Sequence, residues 1–163
     1  MGGKKGVIIY LSAPVFTQVQ RQWNRLLAAE IEKQIEGAKV ILPQDFKFSE
    51  AFNRSEDFPE LFHTCLDKIE DADLVIAVLD GPDADSGTSF EVGYACAREI
   101  PIIGIRTDYR KSQDLGVNLM LAQACSELLR EMSFSEDLEQ LVRDLTGKIL
   151  VALRKIDKRE WTD

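Results

Sequence analysis

The chain has 163 residues, 45% of them hydrophobic and 29% charged, which fits one soluble globular domain spanning 1–163 with a sizeable core. Its 20 Lys and Arg stand against 28 Asp and Glu, so a formal net charge of −8 removes the basic footprint expected of a binder of nucleic acid or anionic membrane. Three scattered cysteines, Cys65, Cys96 and Cys125, form no CxxC pair, which argues against a zinc site or disulfide framework and for reduced thiols in a cytoplasm.

The opening residues precede an apolar run too short for a signal peptide, and no later segment could span a bilayer. Gly6 stands where a myristoylation signal needs Ser or Thr. Gly2-Gly3-Lys4-Lys5 lies before the first strand, whereas a phosphate loop follows one. Residues 7–11 read as that strand, ended by Ser12-Ala13-Pro14. An amphipathic helix follows over 18–36, with Trp23, Leu26, Leu27, Ile31 and Ile35 at helical spacing and Gly37 as its C-cap. A short strand over 39–42 is closed by Pro43, and residues 44–58 form a polar, aromatic loop longer than a plain connection needs.

Residues 58–70 read as a helix with Leu61, Phe62, Cys65, Leu66 and Ile69 on one face. Residues 74–79 are continuously apolar and partly β-branched, the mark of a buried parallel strand. An acidic loop then leads into a helix over about 88–98. A strand over 101–105, a charged loop over 107–116, a short helix over 117–125, an edge strand over 127–132 and a closing helix over 138–153 complete the pattern, with 155–163 as a polar tail. Alternating strands and helices give an α/β flavodoxin-like, three-layer sandwich whose mainly parallel five-stranded sheet has the order 2-1-3-4-5. Its switch point lies between the first and third strands, so the loop after Tyr10 and the loop after Leu79 share one crevice.

That crevice carries the candidate chemistry. Residues 80–97 read Asp-Gly-Pro-Asp-Ala-Asp-Ser-Gly-Thr-Ser-Phe-Glu-Val-Gly-Tyr-Ala-Cys-Ala, which places Glu91 in the first turn of the helix. An acid there can simply complement the helix dipole, worth about 0.3–1 kcal/mol. However, Gly87 and Gly93 leave room for a ligand beside Glu91, and Asp85 lies six residues earlier. Paired carboxyl groups suit glycosyl chemistry, one as nucleophile and the other handling protons or hydroxyls. Asp80, Asp83 and Asp85 lack the twelve-residue pattern of a calcium loop, so no metal and no cofactor is expected. His63 is read as a partner of neighbouring polar groups, and Cys96 as a core residue with no nearby His to activate it. A receiver-like or nucleotide-sensing module is the reading from another class. Asp80 at a strand end fits half of it, and the partner Lys is missing.

The stretch from Asp80 to Ala95 resembles the signature of the nucleoside 2-deoxyribosyltransferase family. Residues 9–16, Ile-Tyr-Leu-Ser-Ala-Pro-Val-Phe, resemble that family's first strand and loop, and Gly116-Val117-Asn118-Leu119-Met120-Leu121 its late Asn-Leu-Met motif. The resemblance implies transfer of a 2-deoxyribosyl group between the bases of free deoxynucleosides through a covalent glycosyl-enzyme. It makes Glu91 the nucleophile and Tyr10 the hydroxyl that orients it. It has Asp85 accept the 5′-hydroxyl, while Asn118 reaches in from a neighbouring subunit of a homodimer or larger oligomer. Expected substrate contacts are Ser12 and Ala13 in the first loop, Gln44 and Phe46 in the second, and Asp83 and Gly87 in the third. Phe48 is a further stacking candidate, whereas for Phe52 and Phe58 packing inward is at least as good a reading as facing the base.

The chain departs from the pattern at Cys65, where many family members carry the Asp that handles the proton of the leaving base. Asp83, Asp45 and Asp67 are the substitutes available. A related branch hydrolyses deoxynucleoside 5′-monophosphates and has Ser six residues before the nucleophile, with Ser and Arg in the first loop. Those places here are Asp85, Pro14 and Phe16. A carboxylate facing a phosphate is repelled, so the free nucleoside is expected, with hydrolysis of the same bond as the near alternative.

Overall fold

The computed structural model describes residues 6–46, 57–110, 116–131, 133–134 and 136–160. Five strands, β1 (Ile8–Ser12), β2 (Lys39–Ile41), β3 (Leu74–Val78), β4 (Ile102–Arg106) and β5 (Glu127–Arg130), form one sheet. The order is β2-β1-β3-β4-β5 and every pairing is parallel. Helices α1 (Gln18–Gln34) and α5 (Leu138–Glu160) pack together on one face. On the other lie α2 (Phe58–Glu70), α3 (Ser86–Ala97) and α4 (Leu119–Ala124). The three-layer reading and the strand order are thus observed.

Each strand feeds both faces because successive side chains alternate. Ile9 and Leu11 join the core under α1 and α5, whereas Tyr10 joins the core under α2 and α3. Ser12, two residues on, shares the Tyr10 face, and its register opposite Ala77 sets it at the carboxyl end of the sheet. β3 is buried along its whole length, which is why its sequence is apolar without alternation.

Several boundaries differ from the sequence reading. α5 continues through residue 160, so residues 155–160 are helix and not tail; Ile156 is only 7% exposed and belongs to the core. α1 is capped by Ile35, and Gly37 supplies a left-handed turn (φ 77°) beyond the cap. Pro43–Asp45 is a 3-10 turn inside the expected loop, and Phe48 and Phe52 lie outside the described residues. α3 opens at Ser86 with Asp85 as N-cap, which puts Glu91 in the second turn. The dipole explanation for Glu91 fails with that shift, since the effect fades beyond the first turn.

Candidate active site

The loop after β3 is held by side chains of the strand beside it. Asp80 accepts hydrogen bonds from the Thr107 amide (2.6 Å), the Thr107 hydroxyl (2.6 Å) and the Asp108 amide (2.9 Å). Its oxygens are therefore committed to bracing two loops, which disfavours the receiver-like reading. Arg106, 1% exposed, donates to the carbonyls of Leu79 (2.6 Å) and Gly81 (3.1 Å). Gly81 adopts φ 110°, and a Cβ there would lie 2.8 Å from the Asp83 carbonyl oxygen, so the turn requires glycine. Bracing of this kind fixes where α3 begins.

At the head of α3, Asp85 Oδ2 accepts from the Thr88 amide (2.9 Å), the N-cap bond that satisfies one of the open amides of the first turn. Glu91 projects from the next turn towards β1. There Tyr10 Oη donates to Glu91 Oε1 (2.7 Å) and Ser12 Oγ donates to Glu91 Oε2 (2.5 Å). The two strand residues on the same face thus grip the two oxygens of one carboxylate. Burial pushes the Glu91 carboxyl up from its ordinary value, the Ser12 and Tyr10 bonds pull against that, and the nearby Asp85 charge adds to the rise. Tyr10 is fully buried, and its hydroxyl is pushed far above the usual phenol range by burial and by Glu91, so it remains a donor. The Cys65 thiol, which also borders the cleft, is pushed up by burial, which keeps it protonated at neutral pH.

This carboxylate lines a cleft of about 870 Å³, within the range of small-molecule sites. Ala13, Gln44, Phe46, Asp85, Gly87 and Glu91 all border it, so most of the expected contacts converge. Tyr10 and Ser12 act through Glu91 from behind. Asp83 and Asn118 do not border the cleft; Asn118 caps α4 through a bond from the Met120 amide (2.9 Å). None of the three acids offered for the leaving base reaches it either. Asp45 pairs with Arg25 (2.6 Å), and Asp67 and Asp83 are exposed elsewhere. Phe58 is 54% exposed, not packed inward, and Cys96 is exposed, not in the core. His63 stacks edge-on against Phe62. Among the described residues no group of three or more His, Cys, Asp or Glu is placed to hold a metal ion, and no helix is long and apolar enough to cross a membrane.

Two contributors escaped the sequence reading. Arg21 borders the cleft and donates to the carbonyls of Val15 (2.8 Å) and Phe16 (3.0 Å), shaping the lip after β1. Asn24 is buried beneath it and donates to Gln44. The available signal was a polar residue in the stripe that also holds Leu27, Ala28 and Ile31.

Among solved structures, a conserved protein from Enterococcus faecalis is 22% identical with a TM-score of 0.70, over 86% of this chain and 99% of that one. A 2-deoxyribosyltransferase from Bacillus psychrosaccharolyticus is 21% identical with a TM-score of 0.60, over 83% and 90%. The CMP N-glycosidase of Clostridium botulinum is 21% identical with a TM-score of 0.54, over 85% and 98%. At such identities the likeness concerns the fold. No curated protein matches the sequence. The family model for nucleoside 2-deoxyribosyltransferase matches residues 9–120, which takes in β1 from Ile9 onward, the gripped Glu91 and the head of α4. The chain belongs to the nucleoside 2-deoxyribosyltransferase family.

Proposed function

We propose that the protein transfers a 2-deoxyribosyl group from one nucleobase to another, with Glu91 as the covalent carrier. The observation that carries this reading is a single carboxylate, gripped by two hydroxyls, in the wall of a nucleoside-sized cleft. An oxygen of Glu91 bonds to C1′ as the C1′–N bond breaks and the base departs with that electron pair, taking up a proton. A nitrogen of the incoming base then bonds to C1′, gives up its proton, and Glu91 leaves as a carboxylate. Both steps pass through an oxocarbenium-like state that the fixed anion stabilises. Tyr10 and Ser12 orient the nucleophile, and Asp85, whose Oδ2 is spent on the helix cap, offers its other oxygen to the sugar's 5′-hydroxyl. The substrates are small nucleosides and free bases, and the intermediate must be kept from water. Self-association would serve that end. Phe62 and Phe90, exposed with ring centroids 5.8 Å apart, and exposed Leu119 and Met120 beside Asn118 are suitable surface for it.

Incubation with deoxyinosine, with and without adenine, tests the reading. Deoxyadenosine formed only when adenine is present is the expected result, and Glu91→Ala should abolish it. Full turnover by Glu91→Ala would refute the mechanism. A second reading, hydrolysis of a deoxynucleotide, is favoured by one observation: a cationic residue, Arg21, borders the cleft, although its guanidinium also donates to the Val15 and Phe16 carbonyls and to Gln18. On that reading deoxyinosine 5′-monophosphate releases hypoxanthine without any acceptor base, and Arg21→Ala raises KM for the 5′-monophosphate while sparing the nucleoside.

A further inference from the structure

We propose that Asn24 is a positioning residue for nucleobase recognition, acting by locking the Gln44 carboxamide in one of its two orientations. Asn24 lies on α1, only 2% exposed, and its Nδ2 donates to the Pro14 carbonyl (3.0 Å) and to Gln44 Oε1 (3.2 Å). Gln44 Nε2 in turn donates to the Arg21 carbonyl (3.0 Å). A main-chain carbonyl only accepts, so Pro14 requires the nitrogen of Asn24 on its side. That nitrogen requires the oxygen of Gln44, and the Arg21 carbonyl requires the Gln44 nitrogen. Three contacts agree on one arrangement. Turning the Gln44 amide over would set N–H against N–H at Asn24 and oxygen against oxygen at Arg21.

Gln44 borders the cleft next to Phe46, so what its amide still offers there comes in a defined order. One N–H and one oxygen lone pair remain, the pair that a carboxamide uses to read adjacent donor and acceptor groups on a base edge. Bases that differ by an amino or an oxo group on one edge are the ligands such an arrangement separates. Adenine against hypoxanthine, and cytosine against uracil, are the two natural pairs. The inference rests on the nucleobase reading given above and names the residue behind its selectivity.

The test measures dissociation constants of these four bases by calorimetry for the wild type and for Asn24→Asp, whose carboxylate accepts but cannot donate to Gln44 Oε1. The amino-to-oxo ratio of constants is expected to change by about tenfold, the scale seen when a polar group in a site loses its partner. In a Gln44→Ala background the same substitution should leave the ratio within about twofold, because the effect passes through Gln44. An unmoved ratio, or an equal change in the Gln44→Ala background, overturns the proposal. If Asn24→Asp does not fold, Asn24→Ser releases Gln44 without adding charge, and a ratio equal to the wild type's would overturn it equally. A wild type that binds none of the four bases removes the nucleobase reading and this inference together. Binding with an unmoved ratio removes this inference alone.

Discussion

Replacing Tyr10 by Phe isolates one atom of the site. The ring is fully buried in the core beneath α2 and α3 and is retained, so only the hydroxyl donating to Glu91 Oε1 at 2.7 Å is lost. A hydrogen bond to an ionised group contributes about 1.5–3 kcal/mol, which corresponds to about ten- to a hundredfold in rate. Ser12 still holds Oε2 at 2.5 Å, so activity is reduced and not abolished. The sign of the pH effect follows from the chemistry: the Tyr10 bond favours the charged carboxylate and opposes the rise caused by burial. Without it Glu91 holds its proton to higher pH, the attacking anion appears later, and the acid limb of the profile moves up. The loss is therefore greatest in acid and narrows as pH rises. Initial rates of base exchange across about pH 4–9, with a thermal melt to verify folding, make the comparison. An acid limb that stays in place or moves down would refute the reasoning, because Tyr10 would then not be tuning this carboxylate.

Two other expectations concern stability. Burial raises the Glu91 carboxyl above 4.5, so the folded protein binds that proton more tightly than the unfolded chain, and stability falls as pH rises between the two values. Glu91→Gln, with no charge to bury, should thus raise Tm more at neutral pH than near pH 4; an equal effect at both would contradict it. At Gly104 a Cβ would lie 2.7 Å from Cys125 Sγ, 2.9 Å from Leu128 Cδ1 and 3.1 Å from Leu79 Cδ1. Gly104→Ala should accordingly lower stability by about 1–3 kcal/mol, read as a fall in the urea midpoint, and an unchanged midpoint would show that the core relaxes freely.

Much of this site was legible in the chain because parallel α/β topology converts loop order into proximity. Continuous apolar runs marked the buried strands, and β1 lying between β2 and β3 brought the loops after Tyr10 and Leu79 together. The period of two along β1 put Tyr10 and Ser12 on one face, towards the helix that carries Glu91. The end of α5 was misread because its last turns are rich in Lys, Arg, Asp and Glu, which look like a solvated tail. Ile156 nonetheless reaches the core and holds the helix there.

The residue types by themselves marked the layers, since these follow from hydrophobic periodicity, while the strand order was read from the alternation typical of a flavodoxin-like sheet and Glu91 was singled out by the resemblance of its loop to a family signature. Only the folded chain decided which side chains tune that acid and which merely lie near it in sequence. Asp80 became a brace and Asp83 an exposed loop residue, while Arg21 and Asn24 joined the cleft from a helix read as plain packing. Hydrogen bonds depend on distance and direction between atoms far apart along the chain, and periodicity carries no information about either.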